Sequence, residues 1–182
     1  MRMRHDAGYC AAAIAHFLRG LSREMGGAQV CTVGRVDLVP NLINVIAARA
    51  TLTADLRNTD EVLLQQAEAR LAAFLVTLGR DEGVTIRTKR LARFEPVTFD
   101  ASSIRCIEGV AARLGYRQRR ITSGAGHDAQ MLARVCPSAM IFVPSVKGIS
   151  HNVAEHTAPA DLTAGANVLL HTMLELSSQE AP

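Results

Sequence analysis

Residues 44–57 read NVIAARATLTADLR, and their side chains alternate between two kinds of position. The apolar set comprises Ile46, Ala48, Ala50, Leu52, Ala54 and Leu56. From Arg49 to Arg57, the intervening positions carry charged or hydroxyl side chains. A period of two is typical of a strand with one face in a core and the other in water. We therefore predict a half-buried strand of an antiparallel sheet over residues 44–57.

Helical and alternating patterns follow one another on both sides of this strand. We expect Asn58 or Thr59 to be the N-cap of the helix that follows this strand. The predicted elements are a helix over 7–25, a strand over 31–38, the strand over 44–57, a helix ending at Gly79 to Gly83 and a strand over 84–95. This order is that of a ferredoxin-like β-α-β-β-α-β unit without its first strand. Residues 1–96 should therefore form one domain, an antiparallel sheet with two helices.

The second half, residues 97–182, alternates helix and strand patterns, which implies an α/β domain with a parallel sheet. The predicted elements are a helix capped by Asp100, a strand over 116–122, a helix over 126–135, a strand over 139–143 and a helix over 159–176. The 139–143 strand is apolar throughout and should be buried on both faces. Two strands are too few for such a sheet, so we expect an incomplete α/β domain.

The composition describes a globular chain and excludes several classes of protein. Of 182 residues, 48% are hydrophobic and 20% are charged, with a formal net charge of +3. The basic residues are not interleaved with aromatic ones, so we expect no nucleic-acid partner. No run reaches the ~18 apolar residues of a membrane span, so we expect no membrane partner. The four cysteines show no C-x-x-C spacing, which favours reduced thiols in a cytoplasmic protein.

The candidate catalytic groups lie in residues 123–161, SGAGHDAQMLARVCPSAMIFVPSVKGISHNVAEHTAPAD. This stretch predicts a loop with His127, a helix, a buried strand and a second loop with His151. Loops at strand ends are where α/β proteins build their sites, so the two histidines can meet. Glu155 and His156 lack the helical spacing of a zinc-protease motif. We expect them to hold the loop rather than to bind a metal.

Three motifs resemble one enzyme family. They are SGAGHDA at 123–129, GISHNVAEHT at 148–157, and PNLINV at 40–45 continuing to DLR at 55–57. In order and spacing they are similar to the metal-dependent amidohydrolases related to M20 peptidases. The resemblance is to the branch of N-carbamoyl-L-amino-acid hydrolase, allantoate amidohydrolase and β-alanine synthase. Val153 and Ala47 depart from the pattern, because proline is common at both positions in the family.

The resemblance implies that this chain is the carboxy-terminal portion of such an enzyme. Residues 1–96 would be a ferredoxin-like lid that also makes the homodimer contact, and residues 97–182 the last segment of the metallohydrolase catalytic domain. The implied activity is hydrolysis of C–N bonds in small carboxylates, N-carbamoyl-L-amino acids or allantoate. Most family ligands and the glutamate that acts as general base have no counterpart here. We therefore expect the chain to be inactive alone.

The resemblance also implies roles for two histidines. His151 matches a ligand of a site that usually holds two divalent ions, zinc or manganese. One histidine cannot hold a metal tightly, because catalytic zinc normally takes three protein ligands. His127 matches a catalytic histidine that contacts the substrate and the developing oxyanion, and the alternative is a structural loop histidine. Asp128 either orients the His127 imidazole or caps the next helix, and we favour capping.

Asn44 and Arg57 match substrate-binding residues of the family. An arginine fork binds a carboxylate through two hydrogen bonds, and an asparagine offers a donor and an acceptor to a ureido or amide group. The plain alternatives are that Arg57 pairs with Asp55 or Asp60 on the surface and that Asn44 is a turn residue. His5, His16 and His171 carry no motif and should lie on the surface.

Two other functions stay open at this point. The chain could be a non-enzymatic module that dimerises or binds through an exposed sheet edge. It could also be a peptidase or aminoacylase of the wider M20 group, although the SGAGHDA and PNLINV motifs favour the carbamoylase and allantoate branch.

Overall fold

The alternating stretch forms a strand only in its second part. The computed structural model describes residues 3–178, and within them two strands pair antiparallel. They are β1 (Val30–Val39) and β2 (Arg49–Arg57). The prediction of a strand is wrong for residues 44–48, because Leu42 and Val45 form an isolated bridge that closes a turn through Asn44. Residues 40–48 therefore form the loop of a β-hairpin.

Helices flank the hairpin in the first half and dominate the second, so the chain is a mixed α+β protein. The helices are α1 (Ala7–Met25), α2 (Glu61–Glu82), α3 (Ala101–Arg113), α4 (Asp128–Leu132) and α5 (Pro159–Ser178), with a 3-10 turn at Val146–Gly148. The chain divides into two compact units, Met1–Pro96 and Val97–Pro182.

The core of the first unit lies between the apolar face of the hairpin and helices α1 and α2. Leu18 and Leu21 of α1 are each 1% exposed. The rings of Phe17 and Phe74 stack with centroids 4.1 Å apart and planes 5° from parallel. Helix α2 contributes Ala67, Leu71, Phe74, Leu75 and Leu78 to this core. The hairpin contributes Leu52 and Leu56, as the alternation predicted.

Asp60 caps helix α2, which corrects the expectation of Asn58 or Thr59. Its carboxylate accepts a hydrogen bond from the Leu63 amide at 3.0 Å. Asn58 instead accepts from the Asp60 amide at 3.0 Å and so braces the cap from outside the helix. The helix ends at Gly83, whose φ of +63° is the left-handed conformation that glycine adopts without strain.

The prediction of a strand over 84–95 is wrong, because this segment has no regular secondary structure and forms no ladder with another strand in residues 3–178. A strand exists only where a neighbour supplies backbone hydrogen-bond partners, and alternation alone cannot supply one. The segment is anchored by side chains instead. Val84 and Ile86 pack against the core, and Arg93 donates to Glu68 at 3.0 Å and to Glu61 at 2.6 Å.

The second unit is centred on α3 and α5. Its core comprises Val110, Ala111 and Val168, with Cys106, Ile107, Tyr116 and Ile141 packed against it. Asp100 caps α3 as predicted, and hydrogen bonds from Ser102 and Ser103 lower the pKa of its carboxyl to about 2. An ion pair between Arg113 and Glu175 joins α3 to α5.

Three expectations for this unit are wrong. Residues 116–122 and 139–143 have no regular secondary structure, and within the described residues neither segment pairs with a strand, so the expected parallel sheet is absent there. Phe142 is 50% exposed, so the second segment is not buried on both faces. The helix expected over 126–135 narrows to Asp128–Leu132, because His127 sets its start and a turn follows Leu132.

Other observations concern the membrane and the cysteines. Among residues 3–178, no helix is both long and apolar enough to cross a bilayer. Cys10, Cys31, Cys106 and Cys136 are all free thiols.

We expect Leu18→Ala to lower the free energy of unfolding of the first unit by about 3 kcal/mol, since it removes a large side chain from a packed core. Hydrogen exchange of the α1 amides measures this change. Val76→Ala is the control, because Val76 is 74% exposed on α2 and its loss should change the stability by less than about 0.5 kcal/mol. Equal effects of the two substitutions would contradict the position of this core.

We expect Arg93→Ala to free residues 84–95 from α2, whereas Arg90→Ala, which removes an exposed arginine of the same segment, should not. Hydrogen bonds from Arg93 and then from Gln65 lower the pKa of the Glu61 carboxyl. The anchoring by Glu61 is therefore complete above the ordinary glutamate pKa of about 4.3. It is lost as the pH falls through the lowered pKa that Glu61 has in the folded protein. Protection factors of the segment, measured by mass spectrometry between acid and neutral pH, report this loss. Unchanged protection in Arg93→Ala would show that apolar packing alone holds the segment.

Candidate functional site

His151 lies in an exposed loop of the second unit that short-range hydrogen bonds hold in shape. Its φ of +57° is left-handed, a conformation that costs a non-glycine residue energy. The Glu155 carboxylate accepts from the His151 amide at 2.7 Å, which stabilises this conformation. The Ser150 hydroxyl lies 2.7 Å from His151 Nδ1. With Nδ1 engaged, Nε2 is the nitrogen through which the ring can bind a ligand.

Glu155 and His156 hold this loop, as the sequence predicted. The backbone carbonyl of His156 accepts from the Val146 amide at 2.8 Å, which closes the base of the loop. Within residues 3–178, no three side chains of His, Cys, Asp or Glu come together as a metal site.

His127 caps helix α4, which corrects the expectation that Asp128 does so. Nδ1 of His127 accepts a hydrogen bond from the Ala129 amide at 3.1 Å, and Asp128 is the first residue of the helix. A backbone N–H can only donate, so Nδ1 carries the lone pair and the proton of the neutral ring is on Nε2. The cap thus selects the tautomer in which Nε2–H is a hydrogen-bond donor. No hydrogen bond joins the His127 and His151 rings in the described structure.

Arg57 ends β2 and binds Asp55, the alternative that the sequence left open. Its Nε lies 3.0 Å from Oδ1 and 3.2 Å from Oδ2 of Asp55, and its Nη2 lies 2.6 Å from Oδ2. The hydrogen bond to Asp55 raises the pKa of Arg57, so the guanidinium stays charged. The pair lies on the face of the hairpin opposite the core, because Leu56 between them packs inward.

Asn44 lies in the turn of the hairpin loop and is exposed. The ladder between Asn44 and Arg57 runs from Val39 opposite Arg49 to Val30 opposite Arg57. Nine residues of strand extend about 26 Å. Asn44 and Arg57 therefore lie at opposite ends of the hairpin, which the 13-residue spacing in the sequence did not reveal.

The sequence also missed a buried polar link beside Arg57. Gln29 is 6% exposed, and its side-chain oxygen accepts from the Asn58 amide group at 2.9 Å. The link ties the start of β1 to the end of β2 and, through Asn58, to the cap of α2. A polar residue just before an alternating strand was the available signal. His5, His16 and His171 are exposed, as predicted.

Comparisons with known proteins agree with the motifs. The model of peptidase family M20/M25/M40 matches residues 6–175. N-carbamoyl-L-amino-acid amidohydrolase of Rhizobium meliloti is 37% identical over 175 residues, which are 96% of this chain and 42% of that protein. Allantoate amidohydrolase of Escherichia coli (strain K12) is 33% identical over 180 residues, which are 99% of this chain and 44% of that protein.

A solved structure extends the likeness to the fold. The crystal structure of an amidase of the hydantoinase/carbamoylase family from Burkholderia vietnamiensis matches with a TM-score of 0.95 at 36% identity, over 100% of this chain and 44% of that one. The chain spans less than half the length of the curated relatives described above. The family predicted from the three motifs is confirmed, and the chain belongs to peptidase family M20/M25/M40.

Proposed function

We propose that this chain supplies the carboxy-terminal part of a metal-dependent amidohydrolase that cleaves C–N bonds of linear ureido acids. The substrate class is N-carbamoyl-L-amino acids or allantoate. The observation that carries the proposal is the identity of 37% over 96% of the chain to a protein named N-carbamoyl-L-amino-acid amidohydrolase. We place its action in the cytoplasm.

In this proposal residues 1–96 are the lid and residues 97–182 the last segment of the catalytic domain. Two features of the first unit support the lid. Within the described residues, β2 pairs with a strand on one side only, and the segment 84–95 has no strand beside it. A further strand contributed by preceding polypeptide would complete the ferredoxin-like sheet between these two edges.

His151 is the metal ligand that this chain contributes, bound through Nε2. Its Nδ1 contact with Ser150 at 2.7 Å is the kind of outer hydrogen bond that orients a metal-binding imidazole. The other ligands and the general base come, in this proposal, from the part of the architecture that this chain does not span. A pair of divalent ions, zinc or manganese, would there polarise the scissile carbonyl and lower the pKa of a bound water.

His127 stabilises the charge that develops on the amide oxygen. An oxyanion requires a donor aimed at it, and the Ala129 amide fixes the His127 proton on Nε2. The same hydrogen bond limits rotation of the ring. One imidazole ring therefore has both roles, since Nδ1 caps α4 and Nε2–H is the catalytic donor.

Arg57 binds the substrate carboxylate, and Asn44 binds its ureido or amide group. A small acid does not extend over a hairpin whose ladder is about 26 Å long. We therefore propose that one substrate molecule is bound by Arg57 of one copy of the chain and by Asn44 of another copy. This assignment requires the homodimer through the lid that the family resemblance implies.

The second candidate is a non-enzymatic dimerising module. In the part of the chain that the structure describes, the outer edges of the two-stranded sheet pair with no further strand, and such edges can bind a strand of another molecule. Both candidates predict a dimer, and only the first predicts metal binding and hydrolysis once the architecture is complete.

To test the proposed enzyme, we would fuse this chain to the carboxyl end of the amino-terminal part of the Rhizobium meliloti relative. That part is the portion of the relative that this chain does not match. We expect the fused protein to hold two ions per site after equilibration with zinc or manganese and to hydrolyse an N-carbamoyl-L-amino acid or allantoate. The 182-residue chain alone should hold far less metal and show no hydrolysis. His151→Ala should lower the metal content of the fused protein, whereas His171→Ala, an exposed control, should not. A folded, metal-loaded fusion without hydrolysis of any of these acids would favour the module.

We expect His127→Asn to lower kcat of the fused protein about 10²- to 10³-fold, the usual effect of losing one oxyanion donor. Asparagine is a good N-cap, so the stability should change little. Initial rates at saturating substrate, together with thermal unfolding, separate the two roles of the ring. If kcat stays at the parent value while the fold is intact, His127 is a structural cap only.

A further inference from the structure

Helix α5 buries one side against α3 and exposes a second apolar side to water. Val168 and Thr172 are buried, and Val168 packs in the core that contains Val110 of α3. The large apolar side chains on the rest of the helix are 41% to 60% exposed, and we call them the α5 apolar face. They are Leu162, Leu169, Leu170, Met173, Leu174 and Leu176.

The members of the α5 apolar face lie side by side on the helix. A residue of an α-helix is turned about 100° from the one before it, so Leu174 and Leu176 lie about 160° apart around the axis. These two residues bound the face, and the other four members fall between them. The face is therefore a continuous stripe. Single exposed apolar residues are common on proteins, whereas a contiguous apolar stripe marks a surface that another polypeptide covers.

The charges on α5 are also too few for a helix at the surface. Residues 159–178 contain two charged residues, Asp161 and Glu175, and Glu175 pairs with Arg113 of α3. The charged residues of α2, a helix of similar length, are Glu61, Glu68, Arg70, Arg80, Asp81 and Glu82. A helix that is apolar around most of its circumference is typical of the interior of a larger protein.

The segment beside α5 lacks a neighbour as well. A Cβ at Gly165 would collide with Val143 Cγ1, so the segment 139–143 packs directly on the helix. In the described chain, the backbone of this segment makes no hydrogen bond with another backbone group. Backbone amides and carbonyls inside proteins are almost always paired, and a neighbouring strand is a common partner. A β-sheet would offer backbone partners to the segment and an apolar surface to α5.

The longer relatives contain polypeptide that can supply this sheet. They share the fold of this region, and this chain spans only 42% to 44% of their length. We propose that the α5 apolar face, together with the segment 139–143, is the docking surface for the apolar face of a β-sheet in the polypeptide that completes the enzyme. This inference rests on the part of the proposed function in which the chain is the carboxy-terminal portion of a longer architecture.

A second copy of this chain fits the surface less well. Two α5 helices packed against each other would cover the apolar side chains of both. The backbone of the segment 139–143 would still have no strand beside it, because a helix makes its backbone hydrogen bonds internally. The sheet satisfies both requirements and is therefore the occupant that we infer.

The test compares the 182-residue chain with the fused protein described above, through the reaction of an introduced thiol with iodoacetamide. Met173→Cys is the reporter and His171→Cys is the control, because both residues are exposed and lie about 160° apart on α5. We expect the Met173→Cys thiol to react at least about 100-fold more slowly in the fused protein, since a covered thiol reacts only when the structure opens. The His171→Cys thiol should react at rates within about threefold in the two proteins. Mass spectrometry of peptides separates these thiols from the native cysteines.

A second measurement needs no introduced cysteine. Hydrogen exchange of residues 159–178 should be slower in the fused protein than in the chain alone. Met173→Glu should remove this extra protection, because it places a charge at an apolar contact, and His171→Glu should not. In the chain alone, Met173→Glu should leave the exchange of α5 unchanged, since Met173 is 60% exposed there. This comparison separates a lost docking contact from a loss of helix stability.

The outcomes distinguish this inference from the proposed activity. If the Met173→Cys thiol reacts equally fast in both proteins, the docking surface is refuted, and hydrolysis by the fused protein would leave the proposed enzyme intact. If the thiol is protected in a fused protein that neither holds metal nor hydrolyses these acids, the docking surface stands and the proposed activity fails. Slow reaction already in the chain alone would show that this chain or a second copy covers α5, and would also refute the inference.

Discussion

The first unit depends on the register of the β1–β2 ladder. With Val30 opposite Arg57 and Val39 opposite Arg49, one face of the hairpin places Leu52 and Leu56 under the two helices. A slip of one residue would exchange the faces and bring the charged side chains toward the core. The stacked rings of Phe17 and Phe74 and the buried leucines of α1 oppose that slip, because each would lose its apolar partners.

This register links the core to the candidate binding residues. Leu56 faces the helices, so its neighbours Asp55 and Arg57 face away from them. The burial of Leu56 thus also keeps the Arg57 guanidinium and the Asp55 carboxylate outside the core. The link from Gln29 to Asn58 secures the end of the strand where Arg57 lies. Binding residues on a strand gain precision in this way, since their backbone is part of the packed sheet.

The second unit positions its histidines by a different means. His127 and His151 lie in loops, and bonds to residues within four positions define each of them, Ala129 for the first ring and Ser150 and Glu155 for the second loop. Such contacts depend on short sequence spacings and little on distant packing. This explains why the two loop motifs could be recognised from the sequence, and why Glu155 was correctly expected to hold its loop.

The sequence by itself determined the family, the mixed α+β character, the bounds of α1, the cap of α3 at Asp100 and the half-buried alternation of β2. These follow from periodicity and from short motifs, which are local properties. Only the tertiary structure decided that residues 84–95, 116–122 and 139–143 form no ladder in the described chain, because a strand requires hydrogen-bond partners that its own residues do not encode. It also decided that His127 caps α4, that Arg57 is bound by Asp55, and that Asn44 and Arg57 lie at opposite ends of one hairpin. Each of these features depends on where the chain reverses and on which acceptor groups then lie near a given donor. The periodicity of the sequence predicts neither.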